Sequence, residues 1–236
     1  MIETSGPRVI VALDSDKRSQ LMDWADRLDP ALCRLKVGKQ AFTCFGPELI
    51  RQLHQRGFEV FLDLKFHDIP NTVASAVAAA AELGVWMTNI HAMGGARMMS
   101  AAAQAAAKVN PRMHLIAVTV LTSHAEGELA FLGAQSNAVL VERLTGMALE
   151  SGMHGVVCSA REASTLRERH GDSPVLVTPG IRPAGVAAGD QRRTMSPAEA
   201  VSAGADYLVV GRPVTQSDNP CRTLLTINEE ISHSLD

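Results

Sequence analysis

Four side chains in this sequence have the types and spacing of an acid–base site. Asp63 and Lys65 stand two apart in Phe61-Leu62-Asp63-Leu64-Lys65-Phe66-His67-Asp68-Ile69-Pro70-Asn71-Thr72, and Asp14 and Lys36 end earlier apolar runs. In a strand, residues i and i+2 share a face, which would set the Asp63 carboxylate beside the Lys65 ammonium while Leu62 and Leu64 take the other face. A neighbouring carboxylate keeps an ammonium charged and therefore fit to act as an acid. Buried charges are costly unless paired, so an Asp–Lys pair serving the fold alone is the competing reading. Adding Lys36 and Asp14 makes four alternating charges, which suits a site better than a core. Asp68 lies just past the strand, where a loop could bring it into the same network.

A second group suits an anion. The stretch Pro179–Met195 carries Arg182, Gln191, Arg192 and Arg193, and Gly211-Arg212 follows a later apolar run. Guanidinium grips phosphate through paired hydrogen bonds, and glycine lets a backbone N–H approach without obstruction. Gly-Arg alone reads equally as a turn with a solvated arginine; opposite an Arg/Gln-rich loop, phosphate is favoured. A connection longer than ~12–15 residues is usually a lid or binding loop. Other chemistry finds little support. There is no His-Glu-x-x-His metal spacing, no Gly-x-Ser-x-Gly elbow and no Walker-type glycine loop. His67 and His91 fit hydrogen-bonding neighbours of a site better than metal ligands. Gly94-Gly95 reads as a helix start, and Met98-Met99 as core.

The elements that would position these residues are short, mostly unalternating apolar runs: Arg8–Leu13, Cys33–Val37, Glu59–Leu64, Val85–Ile90, His114–Val120, Gly155–Cys158, Val175–Thr178 and Tyr207–Val210. Such runs are expected of parallel strands covered on both faces. Helix patterns lie between them. Leu21, Trp24, Ala25 and Leu28 mark one apolar face; Leu49, Ile50 and Leu53 mark another, closed by Gly57. Asn71 is expected to cap the helix ending near Gly84, and Asn137 to precede the one holding Val141, Leu144 and Met147. Ser196-Pro197-Ala198-Glu199 is a capping box with proline at the first helical position, and Asn219-Pro220 opens the last helix in the same style. Ala74–Ala81 and Ala101–Ala107 read as helices packed closely on a sheet. Eight strand–helix units in somewhat under ~250 residues predict an α/β fold, a closed (β/α)₈ (TIM) barrel, rather than a doubly wound open sheet. No linker composition divides residues 1–236, so one domain is expected. The candidate residues then fall at strand ends, where barrels carry their active sites.

Composition narrows the rest. The 236 residues are 46% hydrophobic and 20% charged with net charge −3, which argues against disorder and against a general nucleic-acid binder. Aromatics at 4% argue against a base-stacking platform. No apolar run approaches the ~20 residues of a membrane span, and Met1–Pro7 lacks the order of a secretory signal. Scattered Cys33, Cys44, Cys158 and Cys221 fit buried, reduced thiols and a cytoplasmic protein.

The run from Asp63 to Thr72 resembles the signature of the orotidine 5'-phosphate decarboxylases. So do Leu13-Asp14, Lys36-Val37-Gly38, Leu121-Thr122-Ser123, Pro179-Gly180-Ile181-Arg182, Asp190-Gln191-Arg192-Arg193 and Val210-Gly211-Arg212, in order across nearly the whole chain. The resemblance implies a homodimeric barrel that converts orotidine 5'-monophosphate to uridine 5'-monophosphate (UMP) and CO₂ in de novo pyrimidine biosynthesis, without cofactor or metal. It implies Lys65 as proton donor to the pyrimidine C6, Asp63 beside the departing carboxylate, and Asp68 and Thr72 reaching into the partner subunit's site. Asp14 and Lys36 would bind ribose hydroxyls, Lys36 also joining the charged network. Thr122 and Ser123 would meet the pyrimidine edge. Pro179 would line the substrate site, and Arg182, Gln191, Gly211 and Arg212 would hold the phosphate. Ala184–Gly189 is richer in small residues than the family pattern, which leaves the lid contacts less defined.

The nearest alternative is a barrel resembling 3-keto-gulonate-6-phosphate decarboxylases or hexulose-phosphate synthases, which share Asp-x-Lys-x-x-Asp but use Mg²⁺. Thr122-Ser123 and Pro-Gly-Ile-Arg argue against it. A Schiff-base aldolase would need an uncharged lysine, which flanking carboxylates disfavour. A non-catalytic nucleotide-binding barrel would not need the charged tetrad.

Overall fold

The computed structural model describes residues 6–133, 135–183 and 195–234. The expectations placed on Ala184–Gly189, Asp190, Gln191, Arg192 and Arg193 lie outside them. Eight parallel strands close into one barrel in chain order: β1 (Val9–Leu13), β2 (Arg34–Gly38), β3 (Val60–Phe66), β4 (Met87–His91), β5 (His114–Val118), β6 (Gly155–Val157), β7 (Val175–Pro179) and β8 (Tyr207–Val210), with β1 pairing β8. The barrel expectation is borne out, and each apolar run became a strand within about two residues of its expected ends.

The strands are apolar throughout because both faces are covered. Val9, Val11 and Leu13 pack outward against helices in the larger core, while Ile10 turns inward to join Phe61, Met87, Ile116, Val175, Val177 and Tyr207 inside the barrel. Nothing wider than a hydrogen fits at one inner seam: a Cβ on Gly155 would run into the Val175 backbone.

The helices are α1 (Arg18–Asp26), α2 (Lys39–Gln55), α3 (Pro70–Glu82), α4 (Ala96–Val109), α5 (Asn137–Glu150), α6 (Ala160–His170), α7 (Pro197–Ser202), α8 (Arg212–Thr215) and α9 (Pro220–His233). α2 bends at Gly46, whose φ of 61° is open to glycine, with Pro47 restarting the helix. The Ala-rich α3 and α4 pack on each other, burying Val73, Val77, Ala80 and Ala81 beside Met98, Met99, Ala102 and Ala106. The Ser196 capping box and the Asn219 cap form as expected.

Two expected helix starts shift by a residue or two. Asn71 lies inside α3, because Pro70, with its preset φ and no N–H to satisfy, takes the first helical position; Ile69 is the N-cap, and Asp68 Oδ1 accepts its N–H at 2.6 Å. Asn137 is the first residue of α5 and is buried, its amide donating to Ala125 O at 3.2 Å, while the Ser136 hydroxyl caps. The thiols also divide: Cys33 and Cys158 are buried, Cys44 is exposed, and none of the four is in a disulfide.

After β7, a parallel bridge joins Ile181 to Met195, with the Arg182 N–H donating to Met195 O at 2.9 Å. Among the described residues no helix is long and apolar enough to cross a membrane.

Candidate active site

Asp63 is the hub of the charged network. It is 7% exposed at the upper end of β3, and each oxygen is engaged. Oδ1 accepts from Lys65 Nζ and, at 2.7 Å, from Asn89 Nδ2; Oδ2 stands 3.2 Å from Lys36 Nζ. Lys36 Nζ also lies 3.4 Å from Asp14 Oδ1, which completes the alternating chain Asp14–Lys36–Asp63–Lys65. Burial alone would raise the Asp63 carboxyl, but Lys36, Lys65 and the Asn89 amide outweigh it and hold it at about 2. Burial pulls Lys36 down, and Asp63 and Asp14 more than offset that, so it lies above its ordinary value. Gly38 leaves room for the chain, because a Cβ there would sit 3.3 Å from both Asp14 Oδ1 and Lys36 Nζ.

The pairing of Asp63 with Lys65 was expected from regular strand alternation, and the geometry differs. Lys65 has φ of 52°, the left-handed region, at a cost of roughly 1–2 kcal/mol for a residue with a Cβ. Regular pairing of β3 with β4 runs through Leu62 opposite Thr88 and resumes at Phe66 opposite Ile90. Asp63, Leu64 and Lys65 therefore bulge opposite Asn89 alone, and the bulge turns the lysine back towards the carboxylate. Asn89 is wholly buried, and its Oδ1 accepts the Lys65 backbone N–H at 2.8 Å. Nothing in the sequence reading singled out Asn89. Its signal was two adjacent polar residues, Thr88 and Asn89, in a strand otherwise apolar to its last residue.

These residues open onto one cavity of about 310 Å³, at the low end of ligand-site volumes. Asp14, Lys36, Asp63 and Lys65 line one side; Thr122, Pro179, Arg182, Gly211 and Arg212 line the other. The wall between is apolar, from Ala12, Phe61, Val118, Val120, Val157 and Val209, and went unmarked in the sequence because it reads as core. Burial, then the like charge of Arg212, lowers Arg182 from its ordinary value, so the two guanidiniums share a neighbourhood that favours an anion. Ser123 is exposed and does not line the cavity. Asp68 and Thr72 are exposed and also lie outside the lining.

His67 and His91 lie together near the rim, their rings tilted by 41° with centres 5.7 Å apart. Burial, then the charges of His67, Lys39 and Lys65, lower His91 to about 4, so it is a neutral ring near pH 7. No cluster of three or more potential metal-ligating His, Cys, Asp or Glu side chains occurs among the described residues.

A closed eight-stranded barrel whose strand ends gather lysines, carboxylates and arginines around one cavity defines a (β/α)₈-barrel enzyme. A family model described as "Orotidine 5'-phosphate decarboxylase / HUMPS family" matches residues 7–227, and the chain belongs to that family. It is 56% identical over 232 residues to a protein of Escherichia fergusonii named orotidine 5'-phosphate decarboxylase, covering 98% of this chain and 94% of that one. It is 56% identical over 227 residues to the Hahella chejuensis protein of the same name, covering 96% and 97%. Among solved structures, orotidine 5'-phosphate decarboxylase from Lactobacillus acidophilus superposes with a TM-score of 0.85 at 38% identity, covering 96% of this chain and 99% of that one. The Pyrococcus horikoshii enzyme gives 0.77 at 26% identity, covering 95% and 99%. The resemblance drawn from the motifs is thereby borne out.

Proposed function

We propose that this chain decarboxylates orotidine 5'-monophosphate to UMP and CO₂, with Lys65 as the acid that protonates C6 and Asp63 as the carboxylate beside the departing group. The observation that carries this is the cavity's division into two chemistries: an alternating Asp–Lys chain on one side and two arginines on the other. Orotidine 5'-monophosphate has the matching ends, a carboxylated ring and a phosphate.

Loss of CO₂ from C6 leaves charge on a ring carbon that cannot delocalise it well. A fixed ammonium in a water-poor site stabilises that charge far better than water would, and then supplies the proton. Asp63, ionised at any pH well above about 2, repels a carboxylate placed beside it. Two unit charges ~4 Å apart at an effective dielectric of ~20 repel by about 4 kcal/mol, relieved as neutral CO₂ departs. Enzymes lower barriers by roughly 8–23 kcal/mol, so this repulsion accounts for a part. Binding of the remote phosphate by Arg182, Gly211 and Arg212, with Gln191, supplies energy that holds the carboxylate there. Asp14 and Lys36 take the ribose hydroxyls, Thr122 the pyrimidine edge, and Pro179 lines the site, while Ser123, exposed and outside the lining, takes no part in this chain's own cavity.

The functional unit is a homodimer in which Asp68 and Thr72 serve the partner's site. Their exposure on one chain, outside its own cavity, supports that arrangement. The reaction takes place in the cytoplasm and proceeds without metal or cofactor. An ultraviolet assay with orotidine 5'-monophosphate tests the activity, and EDTA tests the Mg²⁺-dependent alternative. Turnover unaffected by EDTA is expected; an inert protein would overturn the proposal, and loss of activity restored by Mg²⁺ would favour the relatives that use an enediolate. Mixed dimers of Lys65→Ala with Asp68→Ala should regain activity over either parent, and no recovery in demonstrated heterodimers would remove Asp68 from the shared site.

A further inference from the structure

We infer that Asn89 is a positioning residue for the proton donor: its single amide closes the β3 bulge by holding the Asp63 carboxylate and the Lys65 backbone together. The inference rests on the proposed roles of Lys65 and Asp63 and deepens them.

Between Leu62–Thr88 and Phe66–Ile90, three residues of β3 face one residue of β4, so backbone pairing cannot satisfy the bulge. Side chains from β4 take over. The Thr88 hydroxyl donates to Leu62 O at 2.9 Å and clamps the last regular pair. Asn89 then accepts the Lys65 N–H at 2.8 Å with Oδ1 and donates to Asp63 Oδ1 at 2.7 Å with Nδ2. A left-handed lysine persists only where its surroundings determine it. Here the determinant is a wholly buried amide, the side-chain group that offers an acceptor and a donor at once. Alanine offers neither, serine is too short to span both, and an ionised aspartate accepts from Lys65 but repels Asp63.

Asn89 thus fixes the main chain that carries Lys65 and the carboxylate that receives its Nζ. Misplacing a catalytic group by ~1 Å costs on the order of 10²-fold in rate. The phosphate side of the cavity, at Arg182 and Arg212, is built from β7 and β8 and does not depend on the bulge. The charged and titratable groups around Asn89 are Asp63 and Lys65 of β3, with Lys36 of β2 behind Asp63 and His91 two residues on along β4.

The experiment compares wild type, Asn89→Ala and Asn89→Asp in kcat for orotidine 5'-monophosphate, in affinity for UMP, and across pH. For Asn89→Ala a fall in kcat of about 10²-fold is expected, with UMP affinity within about threefold. Asn89→Asp reproduces both hydrogen bonds only when protonated, so its kcat should fall with rising pH through a step absent from wild type. Both variants folded, with kcat within about threefold of wild type and an unaltered pH profile, would overturn the inference. So would an equal loss of kcat and UMP affinity, or loss of the fold in both, since either assigns Asn89 to the barrel rather than to the lysine. A wild-type protein inert towards orotidine 5'-monophosphate would instead overturn the proposed function.

Discussion

Arg34 and Lys36 stand two residues apart on β2 and share a face of the strand, and both are buried, at 4% and 9% exposure. They solve the same problem in opposite ways. Arg34, at the floor of the barrel, is held by one carboxylate and two rings: Nε meets the half-exposed Glu59 at 2.7 Å, another nitrogen donates to Pro7 O, and its guanidinium lies 4.1 Å from the Trp86 ring centre and 5.2 Å from that of Tyr207. Lys36, at the rim, has two carboxylates, and the Asp14 side chain is 62% exposed towards the cavity. Burial of a cation therefore does not mark a site. What marks this one is that its partners border the cavity that Arg182 and Arg212 also line, so that a ligand can join the pairing.

The contrast can be broken by substitution. The largest effect is expected from Lys65→Ala, with kcat falling about 10⁴-fold or more while UMP still binds by calorimetry; a kcat near normal would dismiss the proton-donor role. Lys36→Met should lose both properties, about 3 kcal/mol in a urea titration and about 10²-fold in kcat/KM, because Asp63 keeps only Lys65 and Asn89. Arg34→Met should lose about 2 kcal/mol with kcat within about threefold of wild type. A large loss of kcat there, with the fold intact, would erase the distinction between floor and rim.

The smallest effect sharpens the comparison through pH. Burial, then the charges of His154 and Arg34, lower His114 on the floor to about 4 from an ordinary 6.5. Its neutral form is favoured in the folded state, so its contribution to stability is whole above about 6.5 and is lost as pH falls towards 4. His114→Leu should flatten the decline of Tm across that window, and an unchanged slope would show that the floor histidine carries no such linkage.

Much of this was legible in the sequence because parallel strands covered on both faces are nearly all apolar, which makes their charged ends conspicuous. Asp14, Lys36, Asp63 and Lys65 stood out for that reason and converge on one cavity. The bulge was not legible. Its three-against-one register is a property of two strands, and no residue within β3 announces it. Asp63 and Lys65 do pair, but through the bulge and not through regular strand alternation. Asn89 was hidden because its partners lie 24 and 26 residues away. The floor escaped notice similarly, since Arg34, Trp86 and Tyr207 meet only when the barrel closes. At Pro70, competing local signals favoured asparagine as cap, and the ring constraint prevailed.

The bridge between Ile181 and Met195 acts as a clasp. It brings both ends of the intervening stretch to one fixed point, so the scaffold is insulated from how many residues run between them. Doubling such a stretch adds only about 0.6 kcal/mol of closure entropy. The eight strands can therefore stay as they are while the number of residues between Ile181 and Met195 changes.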